Sequence, residues 1–141
     1  MKVWTSSWFT DLPVTIQKIG ISRGTPRGYP AGYRKMPELA PGAWFKTASP
    51  AEYHDLFMDH LARLDVQVVI DKIARLSAGR DAVLLCYESP DKPRDWCHRG
   101  QVSAWLFEKG GLEVFEWGHL EDGCGWQHPK LLPQFQKGRL L

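Results

Sequence analysis

Apolar residues recur along this chain in short blocks that switch between the two-residue period of strands and the three-to-four-residue period of helices. Lys2–Trp8 is rich in β-branched and aromatic residues and reads as a first strand. Val14–Ser22 alternates around Val14, Ile16, Ile19 and Ile21 and reads as a second. Between Gly24 and Gly42 the pattern dissolves. Pro26, Pro30, Pro37 and Pro41 break both helix and ladder there, so a long loop is expected.

Ser49-Pro50-Ala51-Glu52 then announces a helix. Ser49 can accept from a free amide while Glu52 reaches back, and Pro50 takes the position where a missing N–H costs nothing. Tyr53, Leu56, Phe57, His60, Leu61 and Leu64 follow at helical spacing. Asp65 can cap a second helix carrying Val66, Val69, Ile70, Ile73 and Leu76, ended by Gly79. The continuous apolar run in Asp81–Tyr87 suits a strand covered on both faces. Asp95 can cap a third helix with Val102, Trp105 and Leu106 on one stripe, stopping at Gly110-Gly111. Leu112–Glu116 is a last short strand, and the Gly/His/Pro-rich stretch beyond Trp117 carries no period.

That order predicts a small single-domain α/β protein over residues 1–141, with a core of about 1–116 and an irregular tail over 117–141. A mostly parallel, Rossmann-like sheet of about four to five strands would carry the helices.

Composition is that of an ordinary globular chain, 43% hydrophobic and 24% charged, which excludes wholesale disorder. The longest apolar runs are far short of the ~20 residues that cross a bilayer. The N-terminus has no signal-peptide core. A cytoplasmic protein without membrane partners is expected, and three cysteines suit a reducing compartment. The net charge of +2 argues for no particular partner. Its distribution says more, because residues 1–48 hold seven Lys and Arg against two Asp and Glu. Such a segment can steer an anionic ligand or nucleic acid, and it serves equally as a plain solvated surface.

Ligands of open α/β sheets bind beyond the carboxyl ends of the strands. Applied here, the rule gathers Thr5 and Ser6 from the first strand, Ser22 and Arg23 from the second, Glu88 after the buried strand, and Cys97-His98-Arg99 at the next helix. With Asp95 as cap, Cys97 and His98 would be the second and third helical residues, their free amides forming a seat for phosphate or carboxylate. Arg99 and Arg23 would grip such an anion. Cys97 is a candidate nucleophile, His98 a base or donor, and Glu88 a general acid/base or acceptor for a ribose-type diol. Each has a structural rival. Glu88 and Arg99 can pair with one another, Cys97 can be an inert core residue, and His119 and His128 can close over the site or simply be solvated.

Cys86, Cys97, His98, Cys124 and His128 are all potential zinc ligands, but no Cys-x2-Cys pair exists and the spacing fits no common knuckle. The sequence therefore requires no metal or other cofactor. Phosphate-binding loop, nucleophile-elbow and dinucleotide fingerprints are absent as well.

Leu84-Leu85-Cys86-Tyr87-Glu88 followed by Cys97-His98-Arg99 and Trp105-Leu106 resembles the domain of unknown function 488 family of bacteria and phages. Trp4-Thr5-Ser6, Ile21-Ser22-Arg23-Gly24-Thr25-Pro26 and Leu39-Ala40-Pro41 extend the resemblance, which runs to about Glu116. It implies a small α/β fold with its polar residues at one edge and no defined activity. The segment between Glu88 and Cys97 is longer than the family's. The leading expectation is a site for a phosphorylated or nucleotide-like molecule, with hydrolase or transferase chemistry. A nucleic-acid-associated protein, a thiol enzyme built on Cys97 and a non-catalytic binding protein are the alternatives. Oligomeric state is open.

Overall fold

A computed structural model describes residues 1–88, 96–118 and 123–137. Asp95 and His119, invoked above as a cap and a closing residue, lie outside the described residues. Among the described residues five strands form one sheet, β1 (Val3–Ser7), β2 (Gln17–Gly20), β3 (Arg34–Lys35), β4 (Ala82–Cys86) and β5 (Val114–Glu116). Their spatial order is β3-β2-β4-β1-β5 and every pairing is parallel. Three α-helices among the described residues complete the α/β domain, α1 (Pro50–Ala62), α2 (Val66–Ser77) and α3 (His98–Gly110).

The helix starts behave as the sequence indicates. Ser49 Oγ accepts from the Glu52 amide and the Glu52 carboxylate accepts from the Ser49 amide, closing a capping box at 3.3 and 3.1 Å. Asp65 accepts from the Gln67 and Val68 amides. The third helix begins differently. Cys97 is its N-cap and His98 its first helical residue, so both stand earlier than a cap at Asp95 would place them.

Two other expectations are corrected. Val14 is 93% exposed, in a turn closed by the Ile16 amide on the Pro13 carbonyl, so β2 starts only at Gln17. The long 24–42 loop also contributes the short edge strand β3. Both its residues are exposed cations, which blunt the sheet edge and leave no hydrophobic alternation to read.

The two faces of the sheet are covered by different means. Val3, Ile19, Ala82, Leu84 and Val114 meet the helices through Phe57, Leu61, Ile73, Val102 and Leu106. Val83 and Leu85 lie in a smaller cluster with Trp8, Leu12 and Ile16, flanked by Trp4, Tyr29, Tyr33 and Trp117. Tyr29 and Tyr33 stand edge-on to Trp8, with ring centroids 4.9 and 5.4 Å away, so aromatic contacts hold the Gly/Pro loop alongside the short β3 pairing. All five residues of β4 are buried as a result.

Beyond β5 the described residues 123–137 form an isolated antiparallel bridge from Cys124 to Phe115 and single 3-10 turns at Gly125–Gln127 and Pro133–Phe135, and they are part of the core. Gly100 has no side chain, which lets the backbone of Lys130 and Leu131 lie directly on α3; a Cβ there would come within 2.6 Å of the Leu131 nitrogen. The Cys97 amide donates to the Lys130 carbonyl and the Gly125 amide to Ser103 Oγ, both at 2.9 Å. Consequently α3 is buried on every side from His98 to Leu106. No helix among the described residues is long and apolar enough to cross a membrane.

Candidate functional site

A cavity of about 570 Å³ opens beyond the carboxyl ends of the neighbouring strands β2 and β4. The segment after β2 supplies Ser22, Arg23 and Gly24, and the one after β4 supplies Tyr87 and Glu88. Cys86, at the end of β4, and Cys97 and His98, at the start of α3, also line it. Phe45, Tyr53 and Trp96 add aromatic wall, with Pro41. Tyr53 and Trp96 meet edge to face, their ring centroids 4.6 Å apart. Burial, reinforced by the Glu88 charge, raises the Tyr53 phenol above its ordinary pKa, so this wall stays uncharged.

Arg23 is exposed at this cavity and already held in place. One guanidinium nitrogen donates to the Pro41 carbonyl at 3.1 Å, and the group stands 5.2 Å from the centre of the Phe45 ring. Ser22 Oγ accepts from the Trp8 indole at 2.9 Å and donates to the Gly24 carbonyl, so its hydroxyl braces the strand end.

His98 is buried, and its pKa is lowered to about 4, chiefly by loss of solvation, with the Arg99 charge adding to the effect. It is neutral at physiological pH. Its Nε2 lies 2.7 Å from the Ile21 carbonyl oxygen, which can only accept. Nε2 therefore carries the hydrogen, and Nδ1 turns a lone pair toward Cys97 Sγ, 3.5 Å away. The Cys97 and Cys86 sulfurs are close enough to be joined as a disulfide, while their Cα atoms stand 7.6 Å apart.

Arg99 takes no part in the cavity wall. It is fully buried and forms a two-pronged ion pair with Glu116, Nε to Oε1 at 2.9 Å and Nη2 to Oε2 at 2.7 Å. Its remaining branch donates to Cys86 Sγ at 2.9 Å. Pairing of Arg99 with Glu88 is thereby replaced by a partner on β5. Thr5 belongs to the same buried layer. The Lys130 amide donates to His128 Nδ1, which leaves Nε2 to donate to Thr5 Oγ1, and the Thr5 hydroxyl donates to Glu116 Oε1. One continuous chain of hydrogen bonds thus runs from the C-terminal segment through His128, Thr5, Glu116 and Arg99 to the Cys86 sulfur.

Of the residues singled out from the sequence, Ser22, Arg23, Glu88, Cys97 and His98 meet around the cavity. Thr5, Ser6 and Arg99 do not line it, and Ser6 Oγ donates to Thr10 Oγ1 instead. The Cys97 amide, expected to be free for an anion, is taken by the Lys130 carbonyl. His128, weighed as a loop residue over the site, is a buried member of the Arg99 layer. Glu116 carries no signal of its own along the chain, whereas Cys86, a potential zinc ligand, is marked by the Cys-Tyr-Glu run that it opens. Spacing had also spoken against a metal, yet Cys86, Cys97 and His98 bring their donor atoms within 4.8 Å of one another.

Comparison with protein-family models, with curated proteins and with solved structures finds nothing that matches this chain.

Proposed function

We propose that this cavity binds a small phosphorylated, nucleotide-like molecule, in keeping with hydrolytic or transfer chemistry. The observation that carries the reading is the pairing of aromatic walls, from Tyr53, Trp96 and Phe45, with a braced, exposed arginine at Arg23. A flat apolar body gains from rings that offer faces and edges, and an anionic group gains from a guanidinium fork. Glu88 lines the same space and can accept a hydroxyl pair or a proton. The size, about 570 Å³, falls in the ordinary range for small-molecule sites. Arg99 does not enter this reading, because Glu116 already neutralises it.

Thermal-shift and calorimetric titration with nucleoside phosphates and sugar phosphates tests the proposal, with phosphorus NMR following any turnover. Stabilisation by at least one of them is expected, with affinity about tenfold to a hundredfold weaker in Arg23→Ala, the scale of a lost charge-assisted hydrogen bond. A flat response to all of them, or equal affinity in wild type and Arg23→Ala, refutes it.

A second reading, association with nucleic acid, draws on Arg23, Arg27, Arg34, Lys35 and Lys46, all exposed in the basic first third. Binding that weakens steeply with salt would favour it over a small-molecule site. Kinship with the domain of unknown function 488 family is also proposed. Its support is that the Cys-Tyr-Glu and Cys-His-Arg runs both reach the cavity. A cytoplasmic setting is proposed with it, in keeping with a chain of 141 residues that carries only three cysteines.

A further inference from the structure

We propose that Cys86, Cys97 and His98 hold a zinc ion whose remaining coordination position faces the cavity. The proposal deepens the reading of that same cavity, since the ion would stand where a bound molecule's polar end arrives. Three separate features of the site support it.

The first is the donor set. The sulfurs of Cys86 and Cys97 and a ring nitrogen of His98 all lie within 4.8 Å of one another, and all three residues are buried. Two thiolates and one imidazole form a soft, low-coordinate set that selects zinc over magnesium or calcium. Bridged cysteines usually keep their Cα atoms within about 6.8 Å. At 7.6 Å this backbone is spaced wider, so that, once a thiol reductant has supplied two electrons and left both cysteines as thiols, the two sulfurs have room to part around an ion at about 2.3 Å from each.

The second is the orientation of His98. A ligating histidine characteristically donates its other ring N–H to a carbonyl or carboxylate, which fixes the tautomer and aims the lone pair. His98 does this with the Ile21 carbonyl, and its Nδ1 faces the sulfurs.

The third is the Arg99 branch that reaches Cys86 Sγ. A charged N–H donor favours sulfur in its thiolate form, the form a metal requires. Because Glu116 pairs with Arg99 through two hydrogen bonds, the local charge of the arginine is compensated and does not oppose a cation nearby. Three protein ligands with an open fourth position toward a cavity is the arrangement of zinc sites that meet substrate, as distinct from closed structural sites.

The test uses the whole chain, reduced with a phosphine and then freed of metal by a chelator. Cobalt(II) is titrated in as a spectroscopic stand-in, and zinc is measured by competition with a chromophoric chelator. One ion per chain is expected, with sulfur-to-cobalt charge-transfer absorption and the visible bands of a four-coordinate ion. Cys97→Ser and His98→Gln should each weaken zinc binding by more than about tenfold, the scale seen for loss of even an outer partner. Cys124→Ser removes the cysteine outside the cluster and should change nothing. Circular dichroism confirms that each variant is folded. Cobalt uptake without charge-transfer absorption, or a spectrum unaltered in Cys97→Ser, overturns the proposal. So does an intact mass two hydrogens short after reduction, with no metal taken up, which marks a stable disulfide. Nucleoside-phosphate binding without metal uptake also overturns it while leaving the cavity reading in place. Metal uptake without such binding does the reverse.

Discussion

Two polar regions lie side by side in this protein, separated by little more than the α3 start. In the cavity, Arg23 and Glu88 retain access to solvent and meet aromatic surface. Beneath it, Arg99, Glu116, Thr5 and His128 are wholly buried and bonded to one another. Similar side chains therefore do opposite work. Charge withdrawn from water must be matched group by group, so the buried layer serves architecture and ends on the Cys86 sulfur. Charge left at an opening keeps capacity for a ligand. The contrast also warns against reading an arginine beside a Cys-His pair as a ligand clamp, because burial had already committed this one to Glu116.

The sharpest way to break this division is Glu116→Ala, which strands the Arg99 guanidinium in the core. A loss of about 3–5 kcal/mol is expected in urea unfolding. Replacing both partners, as in Arg99→Met with Glu116→Leu, should cost less than that single change, since no charge is left unpaired. A double variant no more stable than Glu116→Ala would show that the layer is not held by charge matching.

Gly100→Ala comes next. Its methyl would meet backbone of Lys130 and Leu131 at 2.6–2.7 Å, so the C-terminal segment must move off α3. A destabilisation of about 1–3 kcal/mol is expected, the range for overpacking, with earlier protease cleavage within 123–137. Unchanged cleavage would show that the segment does not depend on this contact.

A smaller effect concerns His54, whose ring stacks on Phe135 of that segment at 3.5 Å. Burial lowers its pKa below the usual 6.5; Asp55 opposes the shift and Lys137 adds to it. The folded state thus favours neutral His54, and the associated stability is complete above pH 6.5 and is lost as pH falls below it. Unfolding midpoints at successive pH values should fall less steeply on acidification in His54→Gln than in wild type. Parallel slopes would remove the histidine from the account.

Smallest of all should be the stability change in Arg23→Ala, within about 0.5 kcal/mol, as expected for an exposed side chain. Its consequence belongs to ligand affinity alone. A large drop in stability would place Arg23 with the architectural layer.

Local signals carried much of this protein. The box at Ser49 and Glu52, the cap at Asp65, the fully apolar β4 and the stop at Gly110-Gly111 are legible because hydrogen bonds and periodicity act over a few residues. The strand-end rule likewise located Ser22, Arg23, Glu88, Cys97 and His98 around one opening. Long-range partners were another matter. Arg99 met Glu116 because β5 pairs with β1, and its acid there faces a helix that the C-terminal segment has closed off from water. The convergence of Cys86 with Cys97 and His98, and the burial of His128, depend on the same layering. Pattern along the chain determined the elements and the edge where chemistry gathers. Only the packed arrangement could decide which charges are spent inside, because desolvation is set by everything that surrounds a group and not by its neighbours in sequence.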